Sequence, residues 1–243
     1  MDWETSKKPL ILAHRGFTQG HVENTLEAVE AALQLGCDGV EVDLRMTKDG
    51  ELVVFHDDDL KRLADRDDEL EEMTISTLRE VRIGESRIPM LEELLDLVQD
   101  KALLNLEIKT VRPFSSKVEK KLLETLRSFR LGPTILVSSF HPLPLRRLRK
   151  LSPELRRGYL FWQKYRRSRY RALTERVIDP FSLNPAADSV TAELVQKGHG
   201  ADRRIFVWTV NREDDMRKMI QLGVDGLFSD RPDLLIKVKD SLP

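Results

Sequence analysis

Short apolar runs and amphipathic stretches alternate along almost the whole chain. Residues 10–13 (Leu-Ile-Leu-Ala) read as a buried strand. Residues 24–35 follow as a helix, with Leu26, Val29, Ala32 and Leu33 near helical spacing and Gly36 as the stop. Residues 40–44 and 52–55 are strand-like, separated by the turn signal Lys48-Asp49-Gly50. Next come a helix over 91–98, a strand over 103–108, a helix over 115–129 closed by Gly132-Pro133, and a strand over 135–140. In the second half, 158–161, 177–183, 205–210 and 226–229 read as strands, with helical stretches clearest at 191–197 and 214–222.

This reading gives one strand more than a (β/α)8 barrel holds. The turn at residues 48–50 accounts for it, because so few residues cannot make a parallel crossover and must close an antiparallel hairpin. The remaining strands are helically connected. The expected fold is α/β, a (β/α)8 TIM barrel with a β-hairpin and a short insertion after the second strand. An open doubly wound sheet is the competing arrangement. Folding the chain back about Asp49 brings Phe55 and His56 level with Asp43.

Chemistry-bearing residues fall at the ends of these strands: His14-Arg15-Gly16, Glu41 and Asp43, His56, and Glu107 with Lys109. Glu41 and Asp43 are two apart and so share one face of their strand. In a barrel, strand C-terminal ends line the mouth where catalysis occurs. Three carboxylates with few other ligands describe a site for a hard divalent cation, Mg²⁺ or Ca²⁺, whereas zinc usually takes more nitrogen or sulfur. Two histidines beside such a site can act as general acid and base. Arg15 and Lys109 can hold phosphate oxygens. The set suits metal-assisted cleavage of a phosphate ester.

Composition narrows the class. The 243 residues carry a net charge of −1, so the chain as a whole gives no sign of a nucleic-acid partner. The single cysteine, Cys37, excludes an internal disulfide framework and favours a reducing compartment. Residues 1–9 lack an apolar signal-peptide core, and no run approaches the ~20 residues needed to span a membrane. A cytoplasmic protein is expected, with residues 1–243 as a single domain and 57–87 as its short insertion.

The ordered strings resemble the glycerophosphodiester phosphodiesterase family, of the bacterial cytoplasmic type. They are His14-Arg-Gly16, Glu23-Asn-Thr25, Gly39-Val-Glu-Val-Asp-Leu44, Thr47-Lys-Asp-Gly50, Val53-Val-Phe-His-Asp57, Ile88-Pro89, Leu91-Glu-Glu-Leu94 and Asn105-Leu-Glu-Ile-Lys109. Val207-Trp-Thr-Val-Asn211, Gly223-Val-Asp-Gly226 and Ser229-Asp-Arg-Pro232 complete the series. The resemblance implies metal-dependent hydrolysis of a small-molecule glycerophosphodiester to sn-glycerol 3-phosphate and an alcohol. It also implies attack by a free glycerol hydroxyl through a cyclic phosphate. Carried over by position, Glu41, Asp43 and Glu107 hold the cation, His14 and His56 are the acid–base pair, and Arg15 and Lys109 meet the phosphate. Trp208 is expected as a wall for the glycerol moiety. Glu23, Asn24 and Asn211 are further candidates, although Glu23 and Asn24 also suit a helix start, where Asn caps well. Val22 stands where the family usually has Pro, and Ser229 where Thr is common. The 57–87 segment is short and charge-rich, which leaves the leaving alcohol open.

One feature lies outside this set. Residues 146–171 are rich in arginine and lysine interleaved with aromatic residues. This reads either as a solvated face or as a weak contact with anionic membrane lipid. A lysophospholipase D acting at a membrane surface is the nearest alternative activity. A non-catalytic binding barrel would be expected to lack one of the histidines or carboxylates, and all are present. His21, His141 and His199 read as solvated loop residues.

Overall fold

A computed structural model describes residues 2–4, 9–109, 115–129, 134–162 and 169–242. Eight parallel strands among them close into a barrel: β1 (Leu10–His14), β2 (Gly39–Met46), β6 (Leu103–Ile108), β7 (Ile135–Ser139), β8 (Arg156–Phe161), β9 (Ser182–Pro185), β10 (Arg204–Val207) and β11 (Gly226–Ser229). β1 pairs with both β11 and β2, which closes the cylinder and excludes the open sheet. β3 (Leu52–Val54) turns back antiparallel on β2, with Leu44 opposite Val54 and Met46 opposite Leu52. The Phe55 N–H then donates to the Asp43 carbonyl at 2.9 Å, so His56 returns to the level of that carboxylate as the hairpin predicts.

Two apolar layers hold the barrel. Leu10, Leu12, Leu103, Leu136, Phe206 and Phe228 form one cluster with Trp3, whose indole N–H donates to the Thr134 carbonyl at 3.0 Å. The other layer joins the barrel strands to the surrounding helices α1 (Leu26–Leu35), α4 (Leu91–Val98), α5 (Lys117–Phe129), α6 (Pro142–Leu151), α8 (Ala192–Gly200), α9 (Glu213–Gln221) and α10 (Pro232–Asp240). The 57–87 insertion folds on a small core of its own. Short helices α2 (Lys61–Ala64) and α3 (Ile75–Leu78) and the hairpin β4 (Arg82–Ile83) and β5 (Ser86–Arg87) gather Phe55, Leu60, Leu70, Leu78 and Ile83.

Three element assignments differ from the sequence reading. Residues 177–183 are not one strand: Val177 and Ile178 end helix α7 (Arg169–Ile178), and β9 begins only at Ser182. Asp179, left-handed at φ 48°, and Pro180 separate the two, and β-branched residues at a helix end mimic a strand in sequence. β10 stops at Val207, beyond which Trp208 makes only an isolated bridge to Ala186. Asn24 does not cap α1. Thr25 does, its hydroxyl accepting from the Ala28 N–H at 3.2 Å. The predicted close of α5 at Gly132-Pro133 lies outside the described residues.

Candidate active site

The barrel register assembles the mouth. β1 sets His14 beside Glu41, and β6 sets Glu107 beside Asp43, so residues far apart in sequence become lateral neighbours. Glu41, Asp43 and Glu107 are buried, with one carboxylate oxygen from each lying within 4.8 Å of the others. Glu41 Oε1 and Asp43 Oδ1 are buried without a hydrogen-bond donor. Buried carboxylate oxygens gathered this closely and accepting no hydrogen bond are what a hard cation satisfies.

Two cations flank this cluster. The Lys109 ammonium lies 2.7 Å from Glu107 and 3.4 Å from Asp43. The Arg15 guanidinium lies 3.1 Å from Asp43 and 2.7 Å from Glu23, while its backbone N–H donates to Glu41 at 3.1 Å. Arg15 reaches them from a left-handed backbone at φ 56°, followed by Gly16 at φ 86°. Only glycine fits there, because a Cβ would lie 2.6 Å from the Ala28 carbonyl carbon. Asn24 exchanges two hydrogen bonds with Asp43, side-chain N–H to carboxylate at 2.8 Å and backbone N–H to side-chain carbonyl at 3.1 Å. It positions a carboxylate and does not line the cavity.

The histidines are each held by an aspartate. His14 Nδ1 is 2.7 Å from Asp230, and its Nε2 is 3.8 Å from Glu41. His56 Nδ1 is 2.6 Å from Asp57. Asp57 is bound in turn by Arg62 of α2 at 2.6 Å, and Arg62 also pairs with Glu23 at 2.6 Å. The insertion is thereby tied to the loop carrying Arg15. Asn211 donates to Asp230 at 2.6 Å and accepts the Asp230 N–H at 2.9 Å, shaping that turn from outside the cavity.

Burial and charge set the ionisation of the cluster in the absence of a cation. Burial, reinforced by Asp43 and Glu107, pushes the Glu41 carboxyl up to about 8. Burial, reinforced by Asp43, also raises Glu107 despite Lys109. Burial opposes ionisation of Asp43 too, but Lys109 and Arg15 outweigh it and hold this carboxyl below its usual range. Three carboxylates buried side by side resist ionising together, and a divalent cation relieves that conflict. Burial pulls His14 down, but the Asp230 hydrogen bond and Glu41 outweigh it and raise this imidazole. Burial lowers His56, and Asp43 and Asp57 do not recover the loss.

Opposite the charged cluster stands an apolar wall. Phe140 and Trp162 stack at 4.1 Å, and Trp208 meets Phe140 edge-on at 5.1 Å with its indole N–H donated to the Asn184 carbonyl at 2.7 Å. These rings, with His14, Arg15, Glu41, His56, Glu107 and Lys109, line one cavity of about 210 Å³. The structure therefore brings Trp208 and the predicted charged residues together, and places Glu23, Asn24 and Asn211 behind them. Asp57, Arg62, Asp230, Phe140 and Trp162 were not among the sequence candidates. Asp57 and Asp230 do lie inside the strings that carry the resemblance. His141 caps α6, accepting from the Leu143 N–H at 3.2 Å, and His199 pairs with Asp225 at 2.8 Å, so neither is merely solvated.

A closed parallel barrel whose C-terminal mouth joins clustered carboxylates, phosphate-competent cations and two aspartate-held histidines defines a barrel hydrolase of phosphate esters. A profile of the Glycerophosphoryl diester phosphodiesterase family matches residues 14–234, and the chain belongs to that family. A glycerophosphodiester phosphodiesterase of Caldanaerobacter subterraneus subsp. tengcongensis is 34% identical over 240 residues, covering 95% of this chain and 98% of its own. One from Bacillus altitudinis is 33% identical over 242 residues, covering 96% and 98%. Among solved structures, an Oleispira antarctica phosphodiesterase in complex with the product sn-glycerol-3-phosphate superposes with a TM-score of 0.89 at 28% identity, covering 96% of this chain and 98% of its own.

Proposed function

We propose that this protein hydrolyses glycerophosphodiesters to sn-glycerol 3-phosphate and an alcohol, with Glu41, Asp43 and Glu107 holding one Mg²⁺ or Ca²⁺. The observation that carries this reading is the trio of buried carboxylates, two of them with donor-free oxygens, between Arg15 and Lys109. The cation supplies charge neutralisation at the phosphate when bound. Arg15 and Lys109 orient and neutralise phosphate oxygens. His14 and His56, fixed through Nδ1 by Asp230 and Asp57, leave Nε2 free to take a proton from the attacking hydroxyl and give one to the departing alcohol. Asn24 and Glu23 keep Asp43 and Arg15 in register, and Trp208 with Phe140 forms an apolar face for the substrate's carbon skeleton. The likeness to a product-bound phosphodiesterase and the names of the two relatives support the same reaction.

The cavity of about 210 Å³ suits a compact phosphodiester headgroup. No helix of the described residues is long and apolar enough to cross a membrane. The lone buried thiol of Cys37 fits the reducing cytoplasm.

The test uses purified protein and glycerophosphocholine with Mg²⁺, with Ca²⁺ and with EDTA, following glycerol 3-phosphate through a coupled dehydrogenase. Release that requires a divalent ion and disappears in His14→Ala is the expected result. Release undiminished by EDTA would remove the cation from the reading, and no release under any condition would remove the substrate.

A further inference from the structure

The large apolar side chains that stand exposed among the described residues all fall between Leu151 and Val177. Leu173 is 63% exposed and Tyr170 52%. Helix α7 turns Thr174 and Ile178 inward, while Tyr170, Leu173 and Val177, at i, i+3 and i+7, form a stripe on its outer side. A surface helix ordinarily shows polar residues there.

Cations border the stripe. Arg169 and Arg176 of α7 and Arg146 and Lys150 of α6 are exposed, and none has a carboxylate within ion-pair distance among the described residues. The nearby acids are engaged elsewhere, Glu175 with Arg171 at 3.2 Å and Asp179 with Arg203 at 2.6 Å. The two helices are joined, because the Arg149 guanidinium donates to the carbonyls of Arg176 at 3.2 Å and Val177 at 2.8 Å. At the other end of the patch, half-exposed Trp162 stacks on Phe140 and so reaches the rim of the cavity.

We propose that the outer face of α6 and α7 docks on an anionic lipid bilayer, with Tyr170, Leu173 and Val177 entering the interface and Arg146, Lys150, Arg169 and Arg176 meeting lipid phosphates. Charge complementarity selects this occupant. Apolar side chains framed by unpaired cations match the boundary between anionic headgroups and acyl chains. A second copy of the chain would bring the same cations against one another across a two-fold contact. Residues 163–168, which include Lys164, Tyr165, Arg166 and Arg167, lie outside the described residues and take no part in the proposal. The surface is independent of the reaction assigned to the cavity.

Flotation with vesicles of phosphatidylcholine alone, and of phosphatidylcholine mixed with phosphatidylglycerol, tests this at low and high salt. The intact protein is expected to float with the mixed vesicles and to be released by salt. Each cation at an anionic surface contributes about fivefold to partitioning, so Arg146→Gln/Lys150→Gln/Arg169→Gln/Arg176→Gln should lower it by more than about tenfold. A second variant, Tyr170→Ser/Leu173→Ser, should lower it too, and both should keep the wild-type melting temperature and hydrolysis of soluble glycerophosphocholine. Equal flotation with neutral and anionic vesicles, or undiminished flotation of the four-fold variant, overturns the proposal. So does sedimentation showing a wild-type dimer that Tyr170→Ser/Leu173→Ser converts to monomer, which would make the face a self-contact.

Discussion

Asp230→Ala removes the carboxylate that anchors the His14 ring while leaving every group that faces the cavity in place. The bond is short at 2.7 Å, and its acceptor is ionised, held below its usual pKa chiefly by that histidine against the opposing effect of burial. A hydrogen bond to a charged group contributes about 1.5–3 kcal/mol. The Asp230 side chain is 39% exposed, so solvent screening places the value at the lower end of that range. If the bond acts in the transition state, kcat falls by about ten- to thirtyfold with KM changing little. The second signature is in the pH profile. Burial lowers the His14 pKa and Asp230 restores it, so without Asp230 the limb governed by His14 moves toward acid. Steady-state hydrolysis of glycerophosphocholine across pH, alongside a melting curve, reads both effects. A variant within twofold of wild type, or one whose pH profile does not move, would refute the reasoning.

Glu23 is expected to stabilise the fold near neutrality and to make it acid-sensitive. Burial opposes its ionisation, but Arg62 and Arg15 outweigh that and depress its folded pKa, so the contribution is present above the unfolded value and lost as pH falls through the folded one. The melting-temperature gap between wild type and Glu23→Gln should therefore be widest near neutrality and close at acid pH; a gap that persists unchanged into strong acid counts against it. Cys37 is expected to be inert, because burial, aided by Asp38, pushes its thiol up to about 12. Native protein should leave a disulfide reagent unreacted at mildly alkaline pH and titrate one thiol once unfolded. Rapid native labelling would contradict this.

The strand-end groups were legible because a strand's period of two fixes which side chains share a face, and because a hairpin turn fixes where the returning strand arrives. Glu41 with Asp43, and His56 level with both, followed from those rules alone. The groups behind them were harder to read. An aspartate after a strand, such as Asp230, looks like any turn residue until barrel closure sets β11 beside β1. Arg62 links Asp57 to Glu23 only because the insertion folds on its own core and comes to rest over the first loop, which local pattern does not encode. Trp3 sits in a polar segment, and its burial depends on the barrel interior being open to it. Val177 illustrates a different ambiguity, since an apolar β-branched residue at a helix end carries the same local signal as the start of a strand.

The ionisable lining of the mouth comes from residues 14–109, whereas Phe140, Leu160, Trp162, Trp208 and Phe228 come from the other part of the barrel. The fold thus divides labour along the chain: one segment carries the charge, the other the contour. Drift in the later segment can reshape what fits against the wall while the acidic cluster stays intact, a short evolutionary route from one leaving alcohol to another. The boundary between β6 and β7 is also a seam across which the later strands of a relative can be exchanged to transplant selectivity, provided that the aspartate holding His14 is kept.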